Sequence, residues 1–524
     1  MSFTKLSAYT RLPYILLTIF IALHAAVTLV FSLTLRNELK TSGLDGTLFE
    51  QLLYNVIHGN GFITTIPGIS QNWLGIHFSP ILYALVPVYY IFPHMETLLV
   101  VHSTCIALAA WPIFLVADHM LRSRWQALLA ASLYLINPFV INAAIWDFHE
   151  IAFAPLLIAF MLWAIVRKKP AQLVIFSILL LATKGHYGLT VFGSGLLWAW
   201  HWQDWRFGIS LAVFGLAALA IIVLLVMPHF NIDNTLSWAD SGQTTTVNRF
   251  SWLRNPFGSH SPISSIILDG FNYVFSLVAL LWFVPLAAPI WWLPGLADIA
   301  ANILSENLMM RSVYSYHSAA LQPVLVIASI ICIATFFEKR KISSSKSTLK
   351  SSDILAAMMI TSLFASYVLL VQTGVWEFKT PQITLSLPDR NALNAIDHII
   401  PENASIAGQP NALPHVSMRR NLYVFPLNIG DADYIVLHAE YPFHDAMDHF
   451  DTIYALSPKE YFEAVNTLFQ DSHWHVLLYD NKWIVLGKTT PENAIARAQA
   501  VRAFAAVKSR YDDLLHASKL QNAP

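Results

Sequence analysis

Apolar residues dominate this chain in long blocks, and the polar positions fall between the blocks. The first block, residues 12–35, runs for 24 residues. It is long enough to cross roughly 30 Å of hydrocarbon as a helix at about 1.5 Å per residue. A signal peptide has a shorter apolar core and a small-residue cleavage site, so this block is expected to be a retained span. Further apolar runs follow near 78–92, 95–117, 125–145, 151–166, 171–183, 187–200, 207–227, 268–283, 286–304, 318–337 and 352–372. Several are too short for a straight crossing, and proline interrupts many, as expected of broken or re-entrant pieces covered by protein. After Gly374 the pattern changes. Charge rises, and short β-type runs appear at 434–438, 475–479 and 483–486. A helical pattern opens at Pro388-Asp389-Arg390 and runs to Ile400, and a polar helix is expected near 491–516.

Basic residues orient the spans. Lys5 and Arg11 precede the first; Arg122 with Arg124, Arg167 to Lys169, Arg206, and Lys339 to Lys350 fill four later loops. The positive-inside rule makes these loops cytoplasmic. With 78–92 dipping rather than crossing, about 11 spans result, with the N-terminus cytoplasmic and the C-terminus outside. The predicted architecture is an all-α polytopic membrane bundle over residues 1–373, with outer loops 36–77 and 228–267. A small extracytoplasmic α/β domain follows over 374–524.

Composition agrees with this pattern. Apolar residues make up 56% and charged residues 12%, against roughly 45–50% and 25% in soluble domains. That excludes a soluble enzyme, a disordered chain and a disulfide scaffold. The formal net charge of −1 gives no basis for nucleic-acid binding. Cys105 and Cys332 lie in apolar runs and form no C-x-x-C motif. No phosphate-cradling G-x-x-x-x-G-K-[ST] and no dinucleotide G-x-G-x-x-G after a strand is present.

Four polar clusters fall on the predicted outer face. The first contains Asp45 and Glu50, with His77 further on. A carboxylate there suits a general base or a ligand for a divalent cation such as Mg or Mn; the competing reading is a helix-capping acid. The second is Trp146-Asp147-Phe148-His149-Glu150, a dense polar knot between two apolar runs. Ionisable groups at a membrane boundary are costly and point to function, either metal binding or acceptor orientation; the alternative is interfacial anchoring. The third, Thr183-Lys184-Gly185-His186-Tyr187, offers a compact cation for a phosphate, or a lysine that snorkels to the interface. The fourth is Arg311-Ser312-Val313-Tyr314-Ser315-Tyr316-His317. It suits a lipid-linked phosphate or, alternatively, an aromatic belt. Trp238, Trp252, Trp291 and Trp292 are expected to be belt residues.

The segments GLDGTLFEQLLYNVIHGNG, LGIHFSPILYALVPVYYIFP, WDFHEIAFAPLLIAFMLWAI, LATKGHYGLTVFG and YSYHSAALQPVL resemble a family of prokaryotic integral membrane proteins of unknown function, related to the GT-C glycosyltransferases. The resemblance runs over about 36–490. It implies a GT-C-like bundle in the cell (inner) membrane and a polyprenyl-phosphate sugar donor, with transfer on the extracytoplasmic face. Asp45 would then be the catalytic carboxylate of the first outer loop, acting as base or metal ligand. Lys184, His186, Arg311, Tyr314, Tyr316 and His317 would bind the phosphate. Glu50, His77, Asp147, His149 and Glu150 would hold a cation or orient the acceptor, whether glycan, lipid or protein. The resemblance implies Lys-Glu-Asp where this chain has Lys184-Gly185-His186, so both acids are missing from that turn. Two rival functions stand beside transfer. One is a transporter or flippase of a lipid-linked or small solute; the other is a non-catalytic membrane scaffold.

Overall fold

The long apolar blocks fold as helices, and polar or proline-bearing residues break them. A computed structural model describes residues 3–41, 44–66, 70–231, 263–305, 307–342, 350–372, 381–439 and 458–521. Within these, five helices are long and apolar enough to cross a membrane: Arg11–Asn37, Met95–Leu121, Trp205–Phe230, Leu321–Lys339 and Ser351–Leu369. The pair Arg124–Leu135 and Pro138–Ile145, bent by 54°, would make a sixth. The bend has a local cause. Asn137 caps the second helix by accepting the Phe139 N–H at 2.9 Å, and Pro138 sits at its first turn, where a missing N–H costs nothing.

The expectation of about 11 spans counted shorter pieces as crossings. The structure forms these as the helices Glu150–Val166, Pro170–Thr183 and Ile266–Ala279, each shorter than a straight span needs. The run 286–304 is not one helix. Prolines 285, 289 and 294 break it into 3₁₀ turns, Val284–Ala287 and Pro289–Gly295, followed by the short helix Leu296–Leu304.

The chain divides into two units. The first comprises Met1–Ser32, Leu74–Leu85 and Leu99–Glu377. Its core joins Phe114, Ile113, Tyr134, Phe139, Leu162 and Val326, all almost fully buried. Small residues let two of its helices meet at backbone distance. On Gly188–Trp202 and Trp205–Ile221, a Cβ at Gly195 would lie 2.5 Å from the Gly208 carbonyl oxygen, and one at Gly188 would lie 2.6 Å from that of Gly215. Such close approach is how helices associate where apolar burial gives no drive between them.

The second unit comprises Leu33–Trp73, Val86–Leu98 and Phe378–Pro524. Its hairpin pairs β1 (Ile63–Thr64) with β2 (Gln71–Asn72). Its main sheet contains β3 (Ile406–Gly408), β4 (Leu422–Val424), β5 (Tyr434–His438), β6 (His475–Asp480) and β7 (Trp483–Gly487) in the order β4-β3-β5-β7-β6. β3 runs parallel to β4 and β5, and β7 runs antiparallel to β5 and β6. Asn481 and Lys482, with φ of 43° and 72°, make the tight turn of the β6–β7 hairpin. Side-chain alternation gives the sheet two packed faces. Ile435 and Leu437 face Tyr461, Phe469 and Phe504 on the helices Pro458–Gln470 and Ala494–Gln521. Val436 and Val485 face Ile396 on Leu387–Ile399 and also Ile66. Thr65 Oγ1 donates to the Leu422 carbonyl at 2.6 Å and accepts its N–H at 2.8 Å. The segment after the first span is thereby built onto the tail's sheet. Composition alone grouped it with the bundle, because hydrogen bonds between residues more than 350 positions apart leave no local signal.

Candidate functional site

In the first unit the polar knot at 146–150 closes the helix Pro138–Ile145 and opens the next. His149 is extended (φ −144°, ψ 142°), and its Nδ1 accepts the Ile151 N–H at 3.2 Å, capping the turn Glu150–Ala152 that leads into Phe153–Val166. His102, fully buried, ties this knot to the helix Met95–Leu108. Its Nδ1 accepts the His149 N–H at 3.3 Å, and its Nε2 lies 2.7 Å from the Ala143 carbonyl. The two contacts together require the neutral tautomer with the proton on Nε2. Asp147 is also buried.

Glu150 is fully buried, and its Oε1 lies 3.0 Å from Lys184 Nζ. Lys184 ends the helix Pro170–Thr183 in an extended conformation (φ −162°, ψ 134°), which turns its side chain out of the helix. Its side chain is 18% exposed, whereas that of Glu150 is fully buried. Ser79, just before the turn Pro80–Leu85, places its hydroxyl 3.4 Å from the same Glu150 oxygen. A carboxylate this deep persists as an ion only with such partners. The other oxygen, Oε2, has no hydrogen bond, although His149 Nδ1 lies 3.1 Å away. That nitrogen already accepts the Ile151 N–H, so pairing with Glu150 and capping the turn are alternatives for His149.

Aromatic rings join the fourth cluster to this core. The Tyr316 ring lies 4.2 Å from the His149 ring, 5.5 Å from Trp146 and 4.3 Å from His317. His317 Nδ1 is 2.6 Å from the Ser315 hydroxyl, and Asn142 donates to the Val313 carbonyl at 3.0 Å. Arg311 is committed elsewhere. Its Nη1 donates to the carbonyls of Asn302 (3.2 Å), Ile303 (3.1 Å) and Ser305 at the C-terminal end of the helix Leu296–Leu304, and its Nη2 lies 3.7 Å from Asp269. Tyr314 is half-buried, its N–H held by Ser312. His186 Nε2 lies 3.7 Å from Asp298 Oδ1, and the carboxylate side chain is buried. His77 is half-buried in this unit, next to Phe78 and Ser79.

The second unit holds Asp45 and Glu50. Asp45 lies in the first turn of the helix Leu44–Ile57, where the dipole favours a carboxylate. Glu50 is buried, accepting from the Ser417 hydroxyl and, at 3.4 Å, from Tyr89. Burial raises its carboxyl to about 7, opposed by those donors and by the charge of Arg36. Arg36 itself pairs with Glu96 at 2.7 Å and donates to the Pro414 carbonyl at 3.0 Å.

The second, third and fourth clusters thus meet around Glu150, Lys184 and Tyr316, while Asp45 and Glu50 belong to the other unit. A divalent cation does not suit the first unit's donor set, because the Lys184 ammonium already occupies Glu150. Among the described residues no group of three His, Cys, Asp or Glu side chains is placed to hold a metal ion. Trp291 and Trp292 are buried, the latter donating to the Pro285 carbonyl at 2.9 Å, which corrects their assignment to an interfacial belt. Trp238 and Trp252 lie outside the described residues. Sequence reasoning missed Ser79, His102 and Asp298. Asp298, a lone acid in an apolar run, carried the one signal that would have found it.

A family profile described as a predicted membrane protein (DUF2079) matches residues 36–484, and the chain belongs to that family. No curated protein matches it in sequence. The crystal structure of ArnT from Cupriavidus metallidurans bound to undecaprenyl phosphate is similar, with 12% identity and a TM-score of 0.50 over 90% of this chain and 98% of that one. The apo structure of the same protein gives 13% identity and 0.50 over 91% and 99%. At this identity the likeness is one of fold.

Proposed function

Starting from that family and that fold, we propose that the protein transfers a sugar from a polyprenyl-phosphate donor to an acceptor on the extracytoplasmic face of the cell membrane. In this reading the chain crosses about 11 times, with the tail outside. An acceptor hydroxyl attacks the anomeric carbon and gives up its proton to a base, the role that the family resemblance implies for Asp45. The new carbon–oxygen bond forms as the bond to the phosphate oxygen breaks, with inversion. Lys184 and His186 take up the charge that develops on the departing phosphate, with Tyr314, Tyr316 and His317 beside them. Arg311, already bonded to three carbonyls, shapes the site rather than carrying the charge. Asp147, His149, Glu150 and His77 orient the acceptor, and no step passes through a metal.

The observation that carries the reading is Lys184. It is a part-exposed ammonium held 3.0 Å from a fully buried glutamate at a break between apolar helices, in a fold shared with a protein crystallised with undecaprenyl phosphate. The test is mass spectrometry of lipid-linked sugars and surface glycans in a deletion strain. An accumulated polyprenyl-phosphate sugar, cleared by the wild-type chain but not by Asp45→Asn, supports transfer; an unchanged pool contradicts it. A second reading, a non-catalytic scaffold, follows from the resemblance, which implies acids where this chain has Gly185 and His186. Asp45→Asn and Lys184→Ala that both leave the glycan profile untouched would decide for it.

A further inference from the structure

We propose that Asp298 is a positioning residue that holds the imidazolium of His186 beside Lys184, so that the turn Gly185–Tyr187 offers two cations to one phosphate. This rests on the lipid-phosphate reading above. Lys184 and His186 flank Gly185, and each is backed by a buried acid on the inner side. Glu150 (0% exposed) stands 3.0 Å from Lys184 (18%), and Asp298 (11%) stands 3.7 Å from His186 (45%). The order is the same in both pairs: the acid is inside and the base faces outward, where an anion can reach it. The His186 ring also lies 4.2 Å from the ring of Tyr187, which is fully buried and so fixed. An aromatic face at that distance favours a cation over it. A separation of 3.7 Å is longer than a hydrogen bond, and such contacts tighten when the ligand arrives.

Asp298 Oδ1 and His186 Nε2 stand close enough to compete for one proton once the contact tightens. A phosphate outside the pair draws that proton onto His186. The neighbouring charges leave this balance to the pair. Lys184 and Glu150 neutralise each other, and Arg311 faces Asp269. Tyr187 and Tyr273 on the neighbouring elements are buried phenols, which carry no charge at neutral pH. His201 and Arg206 sit near the far end of the packed helices, roughly 20 Å along the axis from the turn.

The test is binding of undecaprenyl phosphate to the full chain in nanodiscs, measured from pH 5.5 to 9. Wild-type affinity should fall as pH rises and His186 loses its proton. Asp298→Asn should move the midpoint of that fall down by about one pH unit and weaken binding about tenfold at neutral pH. Asp298→Glu should restore most of it, and His186→Lys should flatten the profile to about pH 9. In a His186→Gln background Asp298→Asn should have no further effect. A flat wild-type profile would overturn the proposal, as would an Asp298→Asn loss of equal size with and without His186. If Lys184→Ala abolishes binding while Asp298 and His186 variants keep it, only this inference fails. If wild type binds no undecaprenyl phosphate at any pH, the lipid-phosphate reading fails with it.

Discussion

Two buried glutamates in this chain meet opposite fates. Glu150, in the first unit, has an ammonium 3.0 Å away, supplied by a residue that ends one helix as Glu150 begins another. Glu50, in the second unit, has only hydroxyl partners, Ser417 and Tyr89, with the nearest strong cation, Arg36, already paired to Glu96. Burial raises Glu50 to about 7. Burial alone does not assign a role to an acid: a contact cation makes it part of a charged device, whereas hydroxyls leave it a group that ionises near neutral pH at a cost to the fold.

Removing the cation from the first pair should have the largest effect. Lys184→Ala leaves a fully buried carboxylate without its partner, and losing one member of such a pair costs about 3–5 kcal/mol. Thermal unfolding in nanodiscs should drop sharply, and Glu150→Gln added to Lys184→Ala should recover much of the loss. If Lys184→Ala melts like wild type, the pair is not what holds Glu150.

The second glutamate should show itself through pH. Its carboxyl binds a proton more tightly folded than unfolded, so this contribution to stability falls as pH rises from about 4.5 to about 7 and then levels off. The full span is about 3 kcal/mol. Glu50→Gln should therefore stabilise the protein at pH 8 and change little at pH 5. A stabilisation independent of pH would contradict the assignment.

The smallest effect expected is at the aromatic edge. Tyr316→Ala removes the ring 4.2 Å from His149, a contact worth about 0.5–1.5 kcal/mol. Tyr316→Phe should keep nearly all of it, as read by the same melting assay.

The sequence revealed these features unevenly. The run 434–438 is a strand over those same residues, and 475–479 and 483–486 each gain one residue at the end, because they combine β-branched residues with a tight turn. β3 and β4, three residues each, are too short to show a period. The clusters around Lys184 and Glu150 stood out because charge between apolar runs is conspicuous. Which charge meets which did not, since Lys184 and Glu150 are joined only in space. Asp298 was hidden in a run that proline breaks into turns, and Arg311 looked like a phosphate ligand because sequence does not show the carbonyls at the end of a neighbouring helix.

The central claim is that the cluster around Lys184 holds a lipid phosphate. The direct measurement is native mass spectrometry of the full chain released from its own membranes. The account predicts a bound polyprenyl phosphate on wild type that is lost in the Glu150→Gln/Lys184→Met double variant, which removes the ammonium without stranding a buried charge. A double variant that carries the same lipid as wild type, or a wild type that carries none, would contradict it.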